Sequence, residues 1–347
     1  MCIRDRCYFS LFPQGTRELR AHAPQPAPTS PPVTTAPVTA PTGPTELSFQ
    51  LDWVFSARFA GLLVADAFGY FADADISMDI RPWTDGLNAV TEVVEGRADF
   101  ACADQSLILQ AQADGAPIKA VATVFQTSPF GLMAPPGTGL TSLEVLRNQP
   151  VGVHVDGVNV MALIQGVNGI SGINVTEVPY ADKWDRTVAG EFGAVQCYVF
   201  DEPIGIAARY GVEPEVIQLT DFGLQGAAQT IVVSDDTLEE KGDMVRDVLA
   251  AIFDGWDEAL ACKESTAALI VDEYVPDGSI YKDVAFQNRS LELIEPFVLG
   301  SGGPIGVIDV AAWDASTELM LEFGIIDCLP DLNSTFDLDF LVFDEEE

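Results

Sequence analysis

Basic residues are scarce. The chain of 347 residues carries 17 Lys and Arg against 53 Asp and Glu, for a formal net charge of −36. Phosphate neutralisation needs clustered cations, so nucleic acid is excluded as a partner, and an anionic membrane surface is disfavoured for the same reason. The acidic surplus reads as a solvated surface, or alternatively as a patch that selects cationic ligands. Histidine is nearly absent: only His22 and His154 occur, and His154 falls inside an apolar strand pattern. A strand histidine of that kind is a structural donor. A nucleophile–base pair therefore lacks its usual base, and no GxSxG elbow, HExxH or P-loop occurs. Carboxylate chemistry stays open. None of the six cysteines sits in a CxxC pair, which argues against zinc and leaves no metal or cofactor expected. Cys102 and Cys197 lie within strand patterns as small core residues. Cys262 and Cys328 could pair in an oxidising compartment. No apolar run reaches the roughly 18 residues of a membrane span.

What is present begins with residues 46–85. Leu47, Phe49, Leu51 and Trp53 alternate with polar residues, which predicts a strand. From Ala57 to Gly69 the period becomes helical, with Phe59, Leu62, Leu63 and Ala67 on one face. Ile76, Met78 and Ile80 alternate again. Strand, helix and strand form a right-handed βαβ unit with parallel strands.

Ahead of it, residues 1–45 read as a disordered Pro/Thr-rich tether, as in a surface lipoprotein, or as any disordered tail. The opening MCIRDR resembles translated adaptor sequence, so the native start and its export signal are expected to be missing. Behind the βαβ unit, alternation continues. A helix ends at Gly96, ADFACA is a strand, Asp104 is a helix N-cap, and IKAVATVF is a strand. PPGTG marks a boundary, after which helices and strands alternate from 141 to 220, and QTIVVS is a return crossing. From Met244 to Leu260 one wide apolar face predicts a long helix. Further helices fit 265–274, 281–299 and 309–323. The end, with Phe336, Leu338 and Phe340 alternating, is either an edge strand or a frayed acidic tail. The expectation is an α/β fold with mainly parallel sheets and a helical last third.

Aromatic and polar residues gather at the strand ends: Trp53, Phe55, Trp83, Asp104, Gln105, Gln126, Tyr180, Tyr198, Asp201 and Glu202. Open α/β sheets bind ligands at the carboxyl ends of their strands. Aromatic walls there would stack a flat heterocycle, and a few polar groups would orient it. Each tryptophan could equally cap its own core.

The stretches LDWVFSARFAGLLVADAFGYFADADISMDI, EGRADFACADQSLILQAQADGAPIKAVATVFQ, PGTGLTSLEVLRNQPVGVH and PIGVIDVAAWDASTELMLEFGII resemble, in order, bacterial solute-binding proteins of the thiamine-pyrimidine-precursor, sulfonate and nitrate class. The resemblance implies a two-lobe periplasmic-binding-protein fold that closes on a ligand and delivers it to an ABC transporter permease. It implies a monomer, in the periplasm or lipid-anchored on the outer face of the membrane. It also implies lobe I at 46–131 plus 229–347, lobe II at 132–228, and no catalysis. The pyrimidine-binding branch reads LDWxPNxxH. Here Leu51, Asp52 and Trp53 are kept, while Phe55, Ser56 and Phe59 replace the Pro, Asn and His. The aromatic wall is then Trp53, Phe55 and Tyr198, with Asp104, Gln105, Gln126 and Asp201 as orienters, Tyr180 as a further ligand-binding residue and Arg58 as the nearby cation. Acidic groups dominate, which favours a neutral or cationic heterocycle. The alternative is a thiamine-pyrimidine biosynthesis enzyme of the same fold. The chain lacks that enzyme's histidine and cysteine-rich motif.

Overall fold

The computed structural model describes residues 43–178, 183–330 and 334–341. The predicted tether lies outside the described residues, apart from its last few positions. The strands are β1 (Thr45–Gln50), β2 (Ile76–Arg81), β3 (Phe100–Ala103), β4 (Ile118–Phe125), β5 (Phe130–Ala134), β6 (Pro150–Val153), β7 (Asn174–Glu177), β8 (Ala194–Tyr198), β9 (Glu215–Gln218) and β10 (Ala228–Ser234). The α-helices are α1 (Ala60–Ala67), α2 (Tyr70–Asp73), α3 (Ala89–Val94), α4 (Gln105–Ala113), α5 (Val155–Val167), α6 (Lys183–Val188), α7 (Glu202–Tyr210), α8 (Asp235–Ala261), α9 (Lys263–Leu269), α10 (Val284–Leu299) and α11 (Val310–Glu322).

Two five-stranded sheets result, in the orders β2-β1-β3-β10-β4 and β7-β6-β8-β5-β9. Leu47 and Phe49 are buried as the period-2 pattern requires, and β1 pairs with β2 in parallel, Thr45 opposite Ile76. Each sheet also contains an antiparallel element: β10 runs against β3 and β4, and β5 runs against β8 and β9. The sheets exchange strands through β4–β5 and β9–β10, so two chain crossings join them.

Several elements differ from expectation for local reasons. The helix expected over 57–69 starts as a 3-10 turn, Ala57–Phe59. Gly69, at φ 81°, ends its helix, and burial of Phe71 recruits the further turn of α2. Helix α8 begins nine residues before its apolar face. Ser234 caps it by accepting from Thr237 N at 3.0 Å, and Lys241 (φ −131°) marks a kink. Residues 270–274 widen into a π turn. The chain end makes one bridge, Phe336 to Ala120, on the outer edge of β4. Cys262 is a free, exposed thiol, so the Cys262–Cys328 pairing is not formed.

Helices α1 and α8 cross at a glycine contact. A Cβ on Gly255 would stand 2.0 Å from the Gly61 carbonyl oxygen, and one on Gly61 would stand 2.1 Å from Trp256 Cδ1. Backbone meets backbone there, so neither side can yield cheaply. Gly255→Ala should destabilise the protein by about 1–3 kcal/mol despite the better helix propensity of alanine. A thermal melt reads this, and an unchanged or raised midpoint would show that the helices can separate at no cost.

Candidate functional site

The carboxyl ends of the parallel strands of both sheets meet at one cleft, whose enclosed free volume is about 40 Å³. Beyond β1 and β2 the pairing continues: Leu51 N donates to Arg81 O at 2.9 Å and Trp83 N to Trp53 O at 3.0 Å. That extension sets the two indoles side by side, with centroids 5.4 Å apart and planes at 26°. Trp53 is anchored by its Nε1, which donates to Tyr281 Oη at 3.0 Å, and Trp83 by a 2.9 Å bond to Leu87 O. His154, at the end of β6, meets Trp53 edge-on at 5.0 Å. The cleft is narrow. Asn159 Nδ2 on α5 donates across it to Gln110 Oε1 on α4 at 2.8 Å.

Arg58 reaches from the turn before α1 to the opposite sheet, with its guanidinium carbon 4.1 Å from the Tyr198 ring centroid. Its Nη2 lies 3.5 Å from Asp52 Oδ2. Burial opposes the Arg58 charge, but Asp52, Tyr198, Asp201 and Glu202 outweigh it and raise the pKa. Asp52 Oδ1 accepts from Gln229 Nε2 at 2.8 Å, which ties the cleft to β10. The Tyr198 hydroxyl and Arg58 Nε are buried without partners among the described residues.

The floor on the second sheet is a buried polar cluster. Lys183 Nζ donates to Glu202 Oε1 at 2.6 Å, to Gln196 O at 3.0 Å and to His154 Nε2 at 3.0 Å. Burial, then the Lys183 charge, pushes the His154 pKa well below the usual imidazole range, so the ring is neutral and accepts. Glu202 Oε2 accepts from Tyr198 N at 2.8 Å. Burial pushes the Asp104 carboxyl up to about 7. Burial and then Glu202 push Asp201 up to about 7 as well. The Tyr281 hydroxyl leans on Asp201 without full hydrogen-bond geometry.

Of the residues singled out in the sequence, Trp53, Arg58, Asp104 and Tyr198 line the cleft, as does Trp83. Asp201 stands beside Arg58, just behind the lining. Phe55 does not join them: its ring packs on Tyr274 at 5.7 Å. Gln105 turns away, accepting from Ala227 N at 3.0 Å and donating to Trp313 O at 3.5 Å. Gln126 Nε2 donates to Thr123 O at 2.7 Å and Val307 O at 3.0 Å. Both amides serve buried backbone groups rather than the cleft. Tyr180 lies outside the described residues. Lys183, Gln196 and Tyr281 went unrecognised in the sequence, and Asp156 was read there as the acidic start of a helix rather than as a site residue. One signal was available: Lys183 is among only five lysines in the chain and stands alone between Lys119 and Lys241.

The family model described as NMT1/THI5 like matches residues 56–265. The riboflavin-binding protein RibY of Chloroflexus aurantiacus is 26% identical over 331 residues, which is 90% of this chain and 93% of that protein. The 4-amino-5-hydroxymethyl-2-methylpyrimidine phosphate synthase of Legionella pneumophila is 26% identical over 153 residues, 41% of this chain and 48% of the synthase. Among solved structures, the alkanesulfonate-binding protein SsuA from Xanthomonas axonopodis pv. citri, bound to MOPS, aligns with a TM-score of 0.66 at 14% identity, over 85% of this chain and 99% of that one. The Candida albicans CA3427 product, described as having the generic periplasmic binding protein fold, aligns with a TM-score of 0.67 at 15% identity, over 87% and 99%. The two-sheet architecture is that fold.

Proposed function

The chain belongs to the NMT1/THI5-like family, and from that premise we propose that it is an extracytoplasmic solute-binding protein. It closes on a small, flat, neutral or cationic heterocycle and delivers it to an ABC transporter permease. The observation that carries this is the cleft itself. Trp53 and Trp83 are held side by side on one sheet, and Tyr198 and His154 face them from the other. A ring placed there touches both lobes only when they are closed, so binding shifts the population toward the closed form. We take the lobes as 46–131 plus 229–347 and 132–228, with β4–β5 and β9–β10 as the connections that flex. The similarity to a protein named for riboflavin binding supports a heterocyclic ligand. Localisation outside the cytoplasm, lipid anchoring and a monomeric state belong to the same proposal.

Binding is favoured over catalysis because the histidine and the lysine of the site are engaged with each other. His154 and Lys183 bond to each other, and Lys183 also to Glu202. The partial similarity to a pyrimidine phosphate synthase supports the competing reading. Product formed on incubation with pyridoxal phosphate would replace the binding proposal.

The test is a melting-temperature screen against riboflavin, pyrimidines, nucleobases and alkanesulfonates. A ligand at 100 times its Kd should stabilise the protein by about 2.7 kcal/mol. If no compound raises the melting temperature, the proposal loses its basis. Trp53→Ala should abolish the shift of whichever ring binds, because it removes the stacking wall; a retained shift would place the ring elsewhere.

A further inference from the structure

Five carboxylates crowd the cleft, from Asp52, Asp104, Asp156, Asp201 and Glu202, and the cations among the described residues there are Arg58 and Lys183. Arg58 pairs with Asp52, and Lys183 with Glu202. Asp104, Asp156 and Asp201 are left without a cation of their own, and Asp104 and Asp156 line the cavity from opposite sheets. Asp104 caps α4. Its Oδ1 accepts from Ser106 N at 2.9 Å and Ser106 Oγ at 2.6 Å, while its Oδ2 has no partner among the described residues. The residue is 5% exposed. Asp156 opens α5. Its Oδ1 accepts from Gly157 N at 2.9 Å and Gln196 Nε2 at 3.0 Å, and its Oδ2 is likewise unpartnered. Both residues line the same cavity.

Resting on the solute-binding reading, we infer that Asp104 and Asp156 form an acceptor pair split between the lobes, which selects a ring presenting two N–H donors or an amidinium-like cation. Asp104 is buried and Asp156 half-buried; an acceptor oxygen left without a donor in such a place is costly, and a donor on each Oδ2 removes that cost only when both lobes meet the ligand. Without ligand, two ionised carboxylates lining one cavity from opposite sheets repel, which favours separation of the lobes. A sulfonate or phosphate would add like charge to the same spot. Asp104 is faced by Asp52 and Arg58 from the segment after β1, by His154 and Asp156 from β6 and α5, and by Tyr198 and Glu202 from β8 and α7. The Asp156 and Asp52 charges add to burial in raising its pKa.

Two measurements on the full chain test this. The first is X-ray scattering of ligand-free protein at about pH 5.5 and about pH 8.5, either side of the Asp104 titration. The radius of gyration should grow at the higher pH, and the double variant Asp104→Asn/Asp156→Asn should stay compact at both. A native radius that does not change with pH overturns the inference, whatever binds. The second measurement compares 2,4-diaminopyrimidine with 2,4-dimethoxypyrimidine, which presents no N–H donor, by titration calorimetry at neutral pH. The diamino ring should bind at least tenfold more tightly, about 1.4 kcal/mol, and either Asp→Asn substitution should erase that preference. Equal binding of the two rings, or a preference that survives both substitutions, also overturns it. Riboflavin binding alongside either of those results would leave the solute-binding proposal standing. A screen in which no compound shifts the melting temperature removes that proposal.

Discussion

Lys183→Met should cost the fold about 3–5 kcal/mol. The ammonium is 3% exposed and donates to three acceptors. Methionine matches its length and packs well, so the loss is electrostatic rather than steric. Without the cation, the Glu202 side chain is left 8% exposed with the Tyr198 amide as the remaining donor to it among the described residues. The Gln196 carbonyl and His154 Nε2 lose the same donor at once. Glu202→Gln should cost less, because Lys183 keeps Gln196 O and His154 Nε2 and the amide can still accept. The double variant Lys183→Met/Glu202→Leu should recover much of the loss, since a buried pair replaced by apolar groups is often neutral. Urea unfolding of the native protein, Lys183→Met, Glu202→Leu and the double variant gives the coupling energy. A Lys183→Met loss under about 1 kcal/mol would mean that water reaches the cluster and relieves Glu202.

This cluster was also the part of the site least legible in the sequence. Lys183 meets acceptors 29, 13 and 19 residues away in sequence, and no local pattern encodes that meeting. Trp53, Arg58, Asp104 and Tyr198 were legible because strand ends can be read from period-2 burial, and strand ends are where such folds hold ligands. Gln105 and Gln126 were misplaced for the converse reason. Both sit next to strand ends, yet their amides go to carbonyl and N–H groups left open at residues 123, 227, 307 and 313. Which backbone groups stay open depends on how distant segments pack. Helix α8 shows the same limit within one element. Its apolar face from Val245 onward is buried and was readable. Its first turns, DDTLEE, have no such face and are held by the Ser234 cap. His154 was read as a structural donor; in the structure its Nε2 accepts from Lys183 and its ring lies against Trp53.

Stability should fall as pH rises from about 4 to about 7, by a margin that Asp104→Asn removes. The carboxyl titrates near 3.9 in an unfolded chain and at about 7 in the fold, where burial is the largest cause. Between those values the native state holds a proton that the unfolded state has released, so ν_U − ν_N is negative and stability drops with pH. Below about pH 4 both states are protonated and the penalty is absent; above about pH 7 it is complete. Three units at 1.36 kcal/mol each set a ceiling on the order of 4 kcal/mol. Asp156 and Asp201, also raised by burial, act in the same direction. His154, lowered by burial, acts oppositely below about pH 6.5, and so do the lowered carboxyls of Asp99 and Glu92 at more acidic pH. The native curve is therefore a sum, and the difference between native protein and Asp104→Asn isolates one group. Asparagine keeps the side-chain oxygen that caps α4, so the helix cap is retained. Calorimetric melts in half-unit pH steps should show the two proteins alike near pH 4 and the variant more stable at pH 8. Parallel curves would mean that Asp104 ionises as freely in the fold as in the unfolded chain, and that its free oxygen is already solvated.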